Sequence, residues 1–226
     1  LLSEIEYSSL ENRNWATTWQ ERYYPLPIGN RLAVVPTWLE NPFANRIPIW
    51  MDPGMAFGSG THPSTQLSLA LLEDALFEST PGEMIDVGCG SGILSIGAAK
   101  LGVRTVVGLD IDPDAVRIAT ENGKANGVAD SVSFKEGSVS DIIGEDGPLH
   151  SAPLVVANII APILADLFGE GLGNLVIPGG KIILSGILME QLPMMIAHLG
   201  EAGFVLSDQE HSKDWVGLIA EKPLTH

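Results

Sequence analysis

The stretch IDVGCGSG, residues 85–92, sets three glycines, Gly88, Gly90 and Gly92, at alternate positions directly after an apolar run. MIDV (84–87) reads as a buried strand and ILSIGAAKLG (93–102) as a helix ending at Gly102, so the glycines form a strand-to-helix turn. Such a turn brings backbone close to a ligand. The alternation continues downstream. TVVGLDI (105–111), SVSFKEG (131–137), LVVAN (154–158) and KIILSG (181–186) are short runs with strand character. Between them lie two predicted helices, PDAVRIATENGKANG (113–127) and APILADLFGEGLGNLV (161–176). The first has Asp112 as its expected N-cap, ahead of Pro113. A PGG turn is expected before KIILSG, MEQLPMMIAHLGEAG (189–203) is predicted helical, and FVLSDQE and WVGLIAEK close the chain as a hairpin. Short apolar strands alternating with helices specify a parallel sheet covered on both faces. The predicted fold class is α/β, a doubly wound, mostly parallel sheet with a C-terminal antiparallel hairpin. Its ligand crevice lies beyond the carboxyl ends of the strands.

The chain has 226 residues, 45% of them hydrophobic, enough for one well-buried core. Residues 1–60 do not follow the alternation. ENRNWATTWQERYY (11–24) is predicted as an amphipathic helix with Trp15 and Trp19 one turn apart, while RLAVVPTW and RIPIWMD read as extended segments. The net charge is −16, with only 12 Lys plus Arg, which leaves no footprint for a phosphate backbone. Such a surface suits a basic partner or serves solubility alone. The single cysteine, Cys89, excludes an internal disulfide. With no base beside it, Cys89 reads as a small residue fitted to a tight turn rather than a catalytic thiol. No apolar stretch reaches the ~18–20 residues of a membrane helix. The N-terminus lacks the basic flank and apolar core of a signal peptide, so a cytoplasmic location is expected.

The glycine spacing and two acids narrow the ligand. A dinucleotide fingerprint places its third glycine at position 93, which is Ile93. Asp86 stands two residues before Gly88, where a pyrophosphate would approach; a carboxylate there opposes an anion and suits a cation. S-adenosylmethionine fits that requirement, with a sulfonium, an α-amino group and no phosphate. Gly88 and Gly90 let its methionyl part lie against backbone, and Asp86 favours its ammonium directly or through water. Asp110, 22 residues after Gly88, ends the second strand at the position from which an acid bonds both ribose hydroxyls. Asp112 is assigned to the helix cap. Asn158 is the polar residue that ends the fourth strand; resemblance to the Rossmann-like methyltransferases, carried by DVGCGSG with GLDID, implies that this strand end borders the methyl group to be transferred, where an amide and the adjacent carbonyl accept hydrogen bonds from an attacking amine and aim its lone pair.

DVGCGSG and GLDID together resemble the Rossmann-like methyltransferases. DPGMAFGSGTHPSTQLSLALLE (52–73), with NWATTWQERYYPLPIGNRLAVVPTW and ANIIAPIL, narrows the resemblance to the methyltransferases of ribosomal large-subunit protein eleven (PrmA type), from about Asn14 to the end. The resemblance implies a Rossmann-like class I methyltransferase that uses S-adenosylmethionine to methylate lysine and N-terminal amino groups of a basic ribosomal protein, with no direct DNA binding. It implies cofactor contacts from Thr65, Gly88, Asp110 and Asn158. Thr65 would reach the methionyl carboxylate, with free N–H groups of the helix end helping to hold the anion. Phe57 and Gly58 would belong to a lid, with Gly58 and Gly60 giving it flexibility. His62 is read either as a general base or as a turn residue bonded to backbone. Residues 1–22 are assigned to a helical linker and 23–226 to the catalytic domain, with the family's N-terminal recognition domain expected to be absent. Base methyltransferases follow the fourth-strand Asn or Asp with Pro-Pro and an aromatic; here Ile159 and Ile160 follow, which disfavours a nucleic-acid substrate.

Overall fold

A computed structural model describes residues 23–52, 58–77, 80–142 and 150–224. The linker assigned to 1–22, nearly all of the helix predicted over 11–24, and Phe57 lie outside the described residues. Three short strands come first, β1 (Leu26–Ile28), β2 (Leu32–Pro36) and β3 (Ile47–Met51). The first pair is antiparallel and the second parallel, so RLAVVPTW and RIPIWMD lie side by side. Arg46 ties this small sheet together: its Nη1 donates to the carbonyls of Ile28, Gly29 and Leu32, each at 2.9 Å. Helix α1 (Pro63–Phe77) follows, and its buried Glu73 accepts from the amides of Asn30 and Arg31, fastening the β1–β2 turn to the helix.

The main sheet is built from β4 (Glu83–Val87), β5 (Thr105–Asp110), β6 (Val132–Glu136), β7 (Ala152–Asn158), β8 (Val176–Leu188), β9 (Val205–Ser212) and β10 (Trp215–Glu221). Their order is β6-β5-β4-β7-β8-β10-β9, parallel except that β10 runs against both neighbours. The chain reverses direction across the sheet between β4 and β7, and in open α/β sheets the ligand crevice lies at such a switch point. The helices are α2 (Ile93–Lys100), α3 (Pro113–Ala125), α4 (Val139–Ile142), α5 (Ala161–Gly169) and α6 (Leu192–Glu201). Strand periodicity divides the core into two. Ile85, Val87, Val155 and Leu184 face α5 and α6, whereas Met84, Val156 and Ile183 face α1, α2 and the small sheet.

Local signals act as expected at the ends of two helices. Asp112 accepts from the amide of Asp114, capping α3. After α2, the Gly102 amide reaches Ala99 O and the Val103 amide reaches Ala98 O. Three expectations are corrected. The helix predicted over 161–176 stops at Gly169, because Gly171 adopts φ 102° and a 3-10 turn over Leu172–Leu175 follows. The PGG segment is no separate turn: β8 runs through it, and the register against β7 jumps from Ala152↔Val176 to Leu154↔Lys181. The helix predicted over 189–203 also starts later, at Leu192, after a 3-10 turn whose Gln191 Oε1 accepts from the Leu188 amide.

Strands β9 and β10 form the expected hairpin, closed by two residues between Ser212 and Trp215. Among the described residues Lys213 is the one non-glycine residue at positive φ, 55°. That conformation costs an L-residue roughly 1–2 kcal/mol, while glycine adds about 0.5–1 kcal/mol of unfolded-state entropy. Lys213→Gly is therefore expected to stabilise the protein by about 0.5–1 kcal/mol, seen as a thermal midpoint raised by ~1–4 °C. A lowered midpoint would show that the turn carries no strain.

Candidate active site

The turn after β4 carries Gly88, Gly90 and Gly92 at φ 69°, 53° and 79°. It is held from two sides. The Cys89 amide donates to Leu109 O at 2.8 Å, and the Gly90 amide donates to Asp110 Oδ2 at 2.8 Å. The other oxygen, Asp110 Oδ1, accepts from the Asp112 amide at 3.0 Å. Two backbone donors thus fix the carboxylate at the end of β5 and tie it to the glycine turn. Each of its oxygens keeps a lone pair for a further donor.

Beyond these strand ends lies a cavity of about 490 Å³. Gly88, Gly90 and Asp110 line one side, and Asn158, Ile159 and Ile160 line another. His62 and Trp215 also border it, their rings edge to face at 4.6 Å and 75°. No Lys or Arg is among the described lining residues. Among the described residues no cluster of His, Cys, Asp and Glu could hold a metal ion.

Two expected contact residues lie behind the cavity wall. Asp86 is fully buried beneath the turn, because even-numbered residues of β4 face α2. Its Oδ2 accepts from the Ser95 amide at 3.1 Å and from Ser95 Oγ at 2.6 Å. Its Oδ1 is buried without a hydrogen-bond partner among the described residues. Burial pushes its carboxyl up from 3.8 to about 6, against the lowering effect of the two Ser95 bonds and with a further push from Asp110. The folded state therefore holds the Asp86 proton more tightly than the unfolded chain. The stability this confers is present in full below about pH 4 and is lost as pH rises through about 6. Asp86→Asn is expected to remove that fall, so the difference in unfolding free energy between wild type and variant should change between pH 4 and 7. Parallel curves over that range would show that Asp86 does not titrate there.

Thr65 is likewise fully buried, and its Oγ1 accepts from Asn158 Nδ2 at 3.3 Å. Asn158 Oδ1 is the second buried acceptor with no partner among the described residues. The expectation of free N–H groups at the start of α1 is corrected. Pro63 has no N–H, the Ser64 amide donates to His62 Nδ1 at 3.2 Å, and the amides of Thr65 and Gln66 both donate to His62 O. His62 thus caps the helix with its ring and its carbonyl, which matches the reading as a turn residue bonded to backbone. Gly58 and Gly60 adopt φ 98° and 85°, and Gly58 O accepts from Ser91 Oγ at 2.8 Å, joining that segment to the glycine turn. Cys89 is buried, and desolvation raises its thiol pKa. It is inert as a nucleophile.

Sequence reasoning did not find Trp215 or Gly186. Trp215 reaches the cavity only because β10 inserts beside β8. Gly186 was visible as the last residue of KIILSG, without a sign of what it contacts.

Among the described residues the lining is mostly apolar, with an anchored carboxylate and no Lys or Arg, and two further acceptors lie buried beside it. Such a lining suits a ligand with hydroxyls and positive charge. A family model described as ribosomal protein L11 methyltransferase (PrmA) matches residues 2–223. The chain belongs to this family. A ribosomal protein L11 methyltransferase of Limosilactobacillus reuteri is 41% identical over 223 residues, covering 98% of this chain and 67% of the relative. One of Listeria innocua is 39% identical over 217 residues, covering 95% and 67%. The crystal structure of a ribosomal protein L11 methylase from Lactobacillus delbrueckii subsp. bulgaricus superimposes with a TM-score of 0.78 at 34% identity, covering 89% of this chain and all of that one. The chain thus has the Rossmann-like fold of the family. Among the described residues no helix is long and apolar enough to cross a membrane.

Proposed function

We propose that this chain is an S-adenosylmethionine-dependent protein methyltransferase that methylates lysine ε-amino and N-terminal α-amino groups of ribosomal protein L11. The observation that carries the reading is the backbone-anchored Asp110 carboxylate facing a cavity with no cationic side chain among its described lining residues, in a chain of this family. Residues 23–226 are taken as the catalytic domain and 1–22 as a helical linker. A net charge of −16 favours encounter with a basic ribosomal protein.

S-adenosylmethionine, when bound, supplies a methyl group already activated on a sulfonium. The chain's task is to bind and to align. Asp110 accepts from the ribose hydroxyls with the lone pairs its two backbone bonds leave open. Gly88 and Gly90 keep side chains out of the space where the methionyl part lies. Asp86, beneath the turn, favours the ammonium through its open Oδ1, across a water. Asn158, which lines the cavity at the end of β7, receives a hydrogen of the incoming amine on its side-chain amide or the adjacent backbone carbonyl and directs the amine lone pair. A free lysine titrates near ~10.4, and the apolar wall of Ile159, Ile160 and Trp215 favours its neutral form by withdrawing it from water. Proximity and alignment then supply much of the acceleration, with no side chain assigned as an obligatory base.

Incubation with methyl-labelled S-adenosylmethionine and a ribosomal-protein fraction tests the reading. Label in the L11 band supports it; binding without transfer, or label in nucleic acid, overturns it.

A further inference from the structure

We propose that the exposed apolar face at the start of α6, beside the start of α5, docks the protein substrate by taking an apolar side chain next to the target amine in a basic, extended segment. This rests on the methyl-transfer reading above. A surface helix normally turns charged residues to solvent. Helix α3 does so with Asp114, Arg117, Glu121 and Lys124. Helix α6 does not. Its Met195 and Leu199 are buried in the core, while the solvent side of its first two turns is Pro193, Met194, Ile196 and Ala197, with no charged residue among them. Met189, in the 3-10 turn just before, is 48% exposed, and Ile163 on α5 is 46% exposed. Exposed apolar side chains grouped in this way mark a surface that meets a partner.

Position decides which partner. Strands β7 and β8 are parallel neighbours, so α5 and α6, which follow them, both start at the edge of the sheet where the cavity opens. The two helices pack side by side, with the rings of Phe168 and His198 stacked at 6.4 Å. Ile163 lines the cavity. On the other side the Met189 amide donates to Asp214 O at 2.9 Å, and Leu188 is the register partner of Trp215, which also lines the cavity. The apolar face is thus continuous with the cavity mouth, and a chain whose amine enters the cavity passes over it. Charge favours the same kind of chain. Glu190 and Asp214 are exposed beside Met189, with Lys213 the one base in the hairpin turn, and the net charge of the whole chain is −16. Methionine is unbranched and adapts its shape to different neighbours, which suits a site that takes amines from different segments of L11.

The double variant Met189→Gln, Met194→Gln keeps side-chain length and removes the apolar contact at two exposed positions outside the cavity lining. It raises KM for purified L11 about tenfold, leaves kcat within about twofold and leaves calorimetric binding of S-adenosylmethionine unchanged. An unchanged KM, or a fall in kcat alone, overturns the proposal. NMR of the wild-type protein with labelled methionine methyl groups gives a readout without turnover. Added L11 shifts the Met189 and Met194 signals and leaves that of the buried Met84 in place. Stationary signals at Met189 and Met194 overturn the proposal, as do signals that move with the protein's own concentration, which would assign the face to a second copy. The two measurements fail separately. Transfer to L11 with stationary methyl signals sinks the docking face and keeps the methyl-transfer reading; shifted signals without any transfer keep the docking face and sink that reading.

Discussion

Asp110→Ala is expected to bind S-adenosylmethionine about a hundredfold or more weakly than wild type. A hydrogen bond to a charged acceptor contributes about 1.5–3 kcal/mol, and a ribose presents two hydroxyls, so the direct loss alone spans roughly 3–6 kcal/mol. At ~1.4 kcal/mol per factor of ten, the lower bound is already a hundredfold. A second loss adds to it. The same carboxylate holds the Gly90 and Asp112 amides, so its removal also frees the glycine turn from the end of β5. Asp110→Asn separates the two effects, since one amide oxygen still serves the turn while the charge and one acceptor are gone; its loss falls between wild type and Asp110→Ala. Asp110 is only partly buried, so both variants are expected to fold, which a cooperative thermal transition in each would check. Calorimetric titration checks the series. A dissociation constant unchanged in Asp110→Ala would remove the residue from the site and with it the assignment of the cavity to a ribose-bearing donor.

Features of the sequence that act locally were legible. The β4 turn needs positive φ at three places and the sequence has glycine at each; Asp112 and Pro113 open α3 where a cap and a first-turn proline are expected. The parallel sheet followed from apolar runs too short for helices, each set between helical patterns. What escaped was non-local. Whether Asp86 points into the crevice or under it depends on which face of β4 meets α2, and residue identity does not state that. Thr65 was expected as a cofactor contact from the resemblance alone, and the sequence held no sign that it would be buried, that its Oγ1 would accept from Asn158 Nδ2, or that His62 would accept from the amides beside it. Trp215 enters the wall through a strand inserted out of sequence order, β10 between β8 and β9. The break in the helix predicted over 161–176 was a misreading of a local signal. EGLGN carries two glycines within five residues, and Gly171 ends the helix by its left-handed conformation.

The largest stability effect is expected at Gly186. An added Cβ there would lie 2.5 Å from Ile159 O and 2.7 Å from Ile159 C, at a residue with φ 82°. Both atoms are backbone, and Ile159 cannot retreat freely, because its amide is bonded to Ser185 O at 3.2 Å. The left-handed conformation costs about 1–2 kcal/mol and forced overpacking about 1–3 kcal/mol, so Gly186→Ala is expected to lose roughly 2–5 kcal/mol. That is a large fraction of the ~5–15 kcal/mol that a domain has in total. Gly88→Ala is the informative comparison. Its Cβ would also meet Ile159, but at the Cδ1 and Cγ1 atoms, 2.7 and 2.9 Å away, and a side chain can turn aside where a carbonyl cannot. Its φ of 69° carries the same conformational cost, so the difference between the two variants isolates the backbone clash. Urea denaturation should place Gly186→Ala below Gly88→Ala by at least about 1 kcal/mol, with similar slopes. Transfer activity is expected to fall in both variants for different reasons: moving the Ile159 backbone moves the Asn158 carbonyl with it, whereas a methyl at Gly88 enters the space kept for the methionyl part. Equal stability of the two variants would mean that the β7 end shifts readily, and the end of β7 would then be no rigid platform for aligning an amine.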